Sequence, residues 1–291
     1  MSATDKQLAV GVPIYSRETA LRQFLESVPS YVETAYVAEN GPPDDRDRDV
    51  YDRSWPFSLD VIALEHDDGI GACRAAIVDT CSEPYLWVGD CDMAFVDGGD
   101  LRTLRAILEA HSDLGGVSGW LLEDRAVRAG ARDLETVGDS AIKEASGVDL
   151  EHDPVPFARF DFIPQAGLFR TAIYEDYSYD PDVRSTEHFD FFYAHRQLGA
   201  WDFASTPTVL IRHDRNINAE YRESQRGSGH VDRDILAEKW GIEHVEPGAR
   251  ADWATVHDHG LKSDAFNLVK QTTPAPVWVR LKRGLERVGI A

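Results

Sequence analysis

Short apolar runs alternate with segments of helical period along the first 125 residues, and few architectures accept that alternation. LAVGVPI at 8–14 reads as a buried strand, and the TALRQFLESV that follows places Leu21, Phe24, Leu25 and Val28 at helical spacing. TAYVAENG at 34–41 repeats the strand signal and closes on Asn-Gly, a turn signature. The stretch PPDDRDRDVYDRSWP carries charge and proline without any period, which predicts an exposed excursion before a third strand in LDVIALEH at 59–66. DDGIGACRAAIVDTC predicts a loop leading into a helix, and PYLWVGDCDMAF a central strand ending at its two aspartates. LRTLRAILEAH places Leu101, Leu104, Ile107 and Leu108 on one face of a further helix, and VSGWLLE at 117–123 is another short strand. Strands alternating with helices predict an α/β fold, an open and mostly parallel sheet flanked by helices. In such sheets ligands collect beyond the carboxyl ends of the strands.

Asp90 and Asp92 stand at such an end, after the apolar YLWVG. An Asp-x-Asp pair is an incomplete divalent-ion site, and its oxygens suit Mn²⁺ or Mg²⁺ with water and phosphate oxygens filling the remaining positions. Acidic residues are also ordinary in turns, so the triplet alone leaves both readings open. The second half is less regular. STEHFDFFYAHRQLG predicts a helix, WDFASTPTVLIRHDRN a strand reaching His213, and FARFDFIPQAGLFRTAIYED mixes aromatic and small residues as a cleft wall or a core would. Beyond about residue 216 the pattern turns charged and irregular, which divides the chain into a core of residues 1–215 and an extension of residues 216–291.

A chain of 291 residues with 43% hydrophobic side chains can bury one substantial core. Its net charge of −21, from 51 acidic and 30 basic residues spread along the sequence, argues against nucleic acid as a partner and suits a salt-rich interior. Cys73, Cys81 and Cys91 have neither disulfide-framework nor zinc-site spacing and read as cytosolic thiols. The opening MSATDKQ lacks the features of a secretion signal, and no apolar stretch has the length of a membrane span. A cytoplasmic location is expected. Within PVWVRLKRGLERVGI, Trp278, Leu281, Leu285 and Val288 recur at helical spacing beside Arg280, Lys282, Arg283 and Arg287. That basic stretch suits peripheral contact with the cytoplasmic face of a membrane, or packing against the acidic body or another subunit. Oligomeric state stays open.

Taken in order, the segments from 8 to 215 resemble the inverting, family-2-like glycosyltransferases with the GT-A fold. VPIYSR at 12–17 resembles that family's opening nucleotide loop, AEN at 38–40 its acidic second strand end, DDGIGACRAA at 67–76 its glycine-containing helix start, and DCD at 90–92 its metal motif. The resemblance implies a nucleotide-sugar donor bound by Pro13, Tyr15, Glu39, Asp68, Arg74 and Asp90. It implies Mn²⁺ or Mg²⁺ held by Asp92 with Asp90, and by His213 as in some relatives. TEHFDFF at 186–192 is similar to the helix start that supplies the family's base, but Glu187 is followed here by His188, with Asp190 two positions later. Either carboxylate is a candidate for taking the proton from an acceptor hydroxyl. His188 is a candidate support for that carboxylate or a sugar contact.

Gln165, Ala166 and Gly167 are candidates for the acceptor or donor-sugar pocket, and Trp120 and Trp201 for either ring faces or core. The implied acceptor is a hydroxylated glycan, a small hydroxylated metabolite or a lipid-linked oligosaccharide in surface-glycan or protein glycosylation. Two other classes share parts of this pattern. A nucleotidyltransferase also needs a nucleotide cleft and acidic ligands, but VPIYSRE lacks the glycine- and basic-rich loop it calls for. A non-catalytic glycan-binding scaffold is compatible with the altered motif at His188, and product formation separates it from an enzyme.

Overall fold

A computed structural model of the chain describes residues 7–42, 48–97, 99–123, 126–144, 149–214 and 229–247. Strands β1 (Leu8–Ile14), β2 (Thr34–Glu39), β3 (Ser58–Ala63) and β4 (Tyr85–Val88) alternate with helices α1 (Glu18–Ser27), α2 (Arg48–Tyr51) and α3 (Ile70–Thr80). There follow β5 (Met93–Phe95), α4 (Leu101–Ala110), β6 (Leu114–Glu123), β7 (Ala126–Arg128), β8 (Asp133–Val137), β9 (Ser140–Glu144), β10 (Ala158–Phe160) and β11 (Gly167–Arg170). The chain continues through α5 (Ile173–Asp176), α6 (Glu187–Leu198), β12 (Asp202–His213), α7 (Gly229–Trp240) and β13 (His244–Pro247).

The main sheet runs β10-β12-β6-β11-β4-β1-β2-β3, with β5 and β7 as short additions on β12 and β6. β4, β1, β2 and β3 are mutually parallel. β11 is antiparallel to both β4 and β6, so β6 and its parallel partner β12 run in the same sense as β4. All these carboxyl ends therefore share one rim. The amino end of β11 joins them, since Gly167 lies opposite Val88.

The predicted inner faces are the buried ones. Leu21, Phe24 and Leu25 of α1 and Leu101, Leu104, Ile107 and Leu108 of α4 are buried in one apolar layer around Trp87, which stacks on Phe24 with ring centroids 5.7 Å apart. Removing such side chains from water contributes about 1.5–3 kcal/mol each. The opposite layer is aromatic, with Phe191 and Phe192 of α6 packed on Phe169 and Phe203.

One expectation changes, and two further features were not read in advance. As the sequence predicts, β4 stops at Val88, just before the acidic pair, but residues 90–93 then turn and β5 leaves in a new direction to pair with β12. The charged excursion is anchored, because Val50 is fully buried and Trp55 stacks on Phe57. The sequence after 130 also builds a second sheet, β13-β9-β8, whose short half-exposed strands carry too little alternation to be read in advance.

From the extension, α7 and β13 belong to the described residues, and α7 is fastened to α6. The buried Asp190 carboxylate accepts from Tyr177 Oη (2.7 Å), Lys239 Nζ (2.7 Å) and Trp240 Nε1 (2.6 Å). Asp232 receives the backbone N–H groups of Arg184, Ser185 and Thr186 at 2.9–3.0 Å, together with the Ser185 and Thr186 hydroxyls. Among the described residues no helix is long and apolar enough to cross a membrane, and the basic stretch around Trp278 lies outside them.

Candidate active site

The turn that ends β4 explains why the two aspartates meet His213. After Gly89 the chain reverses, with Met93 N–H donating to the Asp90 carbonyl at 3.1 Å. β5 then pairs antiparallel with β12 so that Met93 lies opposite His213, and Asp214 N–H donates to the Asp92 carbonyl at 2.9 Å. Asp90, Asp92 and His213 consequently offer ligand atoms that all lie within 4.8 Å of one another.

Each donor is held in a form suited to a cation. His213 Nδ1 lies 3.1 Å from Glu123 Oε1, and because a carboxylate only accepts, Nδ1 carries a proton and Nε2 is the nitrogen turned toward Asp92, where it could meet an ion. Glu123 is itself pinned by Arg128 at 3.0 Å. Asp92 Oδ1 faces His213 Nε2 at 3.6 Å, too far for a hydrogen bond but near enough for both atoms to reach one ion. That oxygen is buried without a hydrogen-bond partner, while Asp92 Oδ2 is taken by the Arg17 guanidinium. Burial, then the Asp90 charge, pushes the Asp92 carboxyl above its ordinary range, and His213 and Arg17 offset part of this. A buried oxygen beside a second carboxylate and an imidazole nitrogen fits Mn²⁺ or Mg²⁺.

Arg74 joins this pair to the candidate base. It projects from α3, almost fully buried, and gives Nη2 to Asp90 Oδ1 at 2.8 Å and Nη1 to Glu187 Oε1. The glycine at 71 makes that reach possible. A Cβ there would meet the carbonyl oxygens of Val183 and Asp180 at 2.2 and 2.5 Å, so only glycine lets α3 approach the segment leading into α6. Glu187 is buried. Burial raises its carboxyl, but Arg74 and then His188 outweigh that and hold it well below the usual carboxylate range. Its second oxygen, Oε2, is buried without a hydrogen-bond partner. His188 Nδ1 lies 3.6 Å from Glu187 Oε1.

The structure gives the two carboxylates of α6 different partners. Glu187 opens the helix against Arg74, whereas Asp190 is buried against Tyr177, Lys239 and Trp240. Gln165 Oε1 accepts from Tyr179 Oη at 3.0 Å, leaving its Nε2 buried without a hydrogen-bond partner, and the Tyr179 ring lies 5.9 Å from the Arg74 guanidinium. Ala166 and Gly167 are buried beside it at the start of β11. Trp201 Nε1 is bound to Asp176 at 2.7 Å, and half-buried Trp120 packs on the aromatic layer.

The nucleotide-side candidates lie along the same rim. Pro13 is buried in β1 opposite Ala38, and Ile14 lies opposite Glu39 at the end of β2. Glu39 accepts from Tyr51 Oη at 3.1 Å, and Tyr15 Oη lies 3.1 Å from His66 Nε2. Asp68 does not cap α3. Its Oδ2 accepts from Glu65 N–H at 3.0 Å and closes the loop before it. Arg17, Glu123 and Asp232 were not singled out by the sequence pattern. Arg17 stands in the quoted VPIYSR, but its pairing with Asp92 depends on a turn 75 residues away.

No protein-family model matches the chain, and no curated protein matches it at a significant level. Solved structures do. S. aureus TarS 1-349 superposes with a TM-score of 0.53 at 13% identity, covering 91% of this chain and 70% of that one. The same protein in complex with UDP-GlcNAc gives a TM-score of 0.57 at 15% identity over 80% of this chain and 64% of its own. GalNAc-T7 with UDP, GalNAc and Mn²⁺ gives 0.59 at 12% identity, over 75% of this chain and 45% of that chain. This chain thus spans less than half of the GalNAc-T7 chain. The mixed α/β architecture with a large, mostly parallel central sheet is the GT-A fold.

Proposed function

We propose that the chain is a divalent-ion-dependent glycosyltransferase that moves a sugar from a nucleotide-sugar donor to a hydroxyl acceptor with inversion, in the manner of family 2. The observation that carries this reading is the pairing of two half-finished groups across Arg74. On one side stand Asp90, Asp92 and His213, and on the other Glu187, whose Oε2 is buried without a hydrogen-bond partner. UDP is the donor nucleotide to try first, since UDP or UDP-GlcNAc is bound in the solved neighbours TarS and GalNAc-T7.

Asp92 and His213 would hold Mn²⁺ or Mg²⁺, with Asp90 beside them, and the ion would neutralise charge on the departing diphosphate. Glu187 Oε2 receives the acceptor's proton, while Arg74 keeps Oε1 fixed and the carboxylate ionised. Pro13, Tyr15 and Glu39 border the nucleotide, Asp68 shapes the loop beside it, and Gln165, Ala166 and Gly167 border the sugar. Asp190 fastens α7 instead of taking the proton. A cytoplasmic enzyme extending a glycan, with the basic stretch near Trp278 bringing it to a lipid-linked acceptor at the membrane face, is the setting this reading favours.

The deciding measurement is calorimetric titration of UDP in Mn²⁺, in Mg²⁺ and in chelator at high salt, followed by assay of UDP release from UDP-sugars. Binding that needs the ion, with UDP released only when a hydroxylated acceptor is added, is expected. Folded protein that binds no nucleotide under any of these conditions overturns the reading.

The Asp232 carboxylate is expected to act as a positioning group, because its five donors belong to the three residues immediately before Glu187. Asp232→Asn should lower kcat roughly ten- to a hundredfold with UDP affinity within about twofold, since small misplacements of a reacting group cost on that scale. Equal loss of UDP binding and kcat would point to general unfolding instead.

A further inference from the structure

Lys143 brings a positive charge into the neighbourhood of Glu187 without forming an ion pair with it. It sits on β9, with Nζ 4.2 Å from the centroid of the Phe162 ring and 5.6 Å from that of Phe189. Phe162 in turn packs on the His188 ring at 5.4 Å, and His188 reaches Glu187 at 3.6 Å. Among the described residues no hydrogen bond or ion pair engages the Lys143 ammonium. Burial, reinforced by Arg132 and opposed by Glu187, pushes it down to about 8, so it remains mostly charged at neutral pH.

This arrangement is out of character for the molecule. With 51 acidic residues available, a half-buried lysine would ordinarily be given one of them, because an unpaired and partly desolvated charge is costly. Aromatic faces replace only part of the lost hydration. Its contacts run to Phe162, whose ring packs on His188 beside Glu187, the carboxylate proposed to meet the acceptor hydroxyl.

We propose that Lys143, with Arg132 adding to the positive potential, binds an anionic group on the acceptor: a phosphate or carboxylate carried by the sugar that presents the attacking hydroxyl. The proposal rests on the transferase reading for the word acceptor, but the anion site itself does not. Such a site would make the enzyme select acidic acceptors over neutral ones, because a neutral sugar leaves the half-buried ammonium without a partner.

The test uses the full chain at moderate salt, with Mn²⁺, in the presence and absence of saturating UDP. Glucose 6-phosphate, glucuronate and glucose are titrated by ligand-observed NMR against wild type, Lys143→Met and Lys143→Arg. One of the two anions is expected to bind at least about tenfold more tightly than glucose with UDP present, and which one it is separates phosphate from carboxylate. Lys143→Met should weaken that anion by about tenfold or more, and Lys143→Arg by less than about threefold, the scale of a hydrogen bond to a charged group. The melting temperature of Lys143→Met should be no lower than that of wild type, because an apolar chain replaces a desolvated charge. Equal anion affinity in wild type and Lys143→Met overturns the proposal, as does anion binding no tighter than glucose. A lowered melting temperature with unchanged binding would assign Lys143 a structural role. If UDP fails to bind while anion affinity still depends on Lys143, the transferase reading falls and the anion site stands. If UDP binds and the anion does not need Lys143, the reverse holds.

Discussion

Glu187→Gln is expected to lower sugar transfer by roughly 10²–10⁴-fold, the range for loss of a positioned general base, with UDP affinity within about threefold. The substitution keeps the volume, and its carbonyl can still accept from Arg74. What it removes is proton affinity at the Oε2 position, where the acceptor hydroxyl would arrive. Rates measured against pH add a second check. Because Arg74 and His188 hold the Glu187 carboxyl low against the effect of burial, Glu187 should contribute no acid limb to kcat/KM above about pH 4 when the ion is saturating. The same depression carries a stability contribution that is fully present above the ordinary glutamate range and lost only as the pH falls through the lowered value. Asp190→Asn should separate the two carboxylates, lowering the melting temperature while the folded fraction keeps its turnover. An active Glu187→Gln beside a folded, inactive Asp190→Asn would exchange their roles.

Asp92→Asn is expected to abolish the effect of Mn²⁺ on UDP binding and to cut transfer by roughly a hundredfold or more at limiting ion, with the fold intact. An amide offers a weaker oxygen to the ion, and it places N–H donors where either His213 or the Arg17 guanidinium now faces a carboxylate oxygen. Loss of the carboxyl also removes the group on which the Asp90 charge acts. Glu123→Gln should be milder, about 10–100-fold in ion affinity, since it disturbs only the orientation of His213. Apparent metal affinity by titration of UDP binding measures both. Wild-type ion dependence in Asp92→Asn would remove Asp92 from the metal site.

Much of the sheet was legible because its signals are local. Leu21, Phe24 and Leu25, or Leu104, Ile107 and Leu108, show their inner face within one or two turns, and the runs at 8–14 and 34–39 are apolar on both faces, as central parallel strands are. The place of Asp90 and Asp92 at a rim followed from the same logic. What could not be read is what depends on distant register. That Asp92 faces His213 requires β5 to leave the turn and pair with β12, and nothing in MAF announces a strand. Arg17, Glu123 and Asp232 are ordinary charged residues until the fold brings them within reach of Asp92, His213 and the start of α6. Glu187 and Asp190 looked equivalent at helical spacing, and only the docking of Lys239 and Trp240 distinguishes them.

The hold of Asp232 on the residues before Glu187 also sets a timetable for synthesis. Glu187 leaves the ribosome 45 residues ahead of Asp232, a lag of about 2–9 seconds at roughly 5–20 residues per second. During that interval a nascent chain can complete the main sheet and bring Asp90, Asp92 and, once β12 emerges, His213 together. The start of α6 still lacks the carboxylate that gathers its three leading N–H groups. On the proposed reading, the rim that gathers Asp90, Asp92 and His213 is made first, and the start of α6 is fixed only once α7, residues 229–240, has followed.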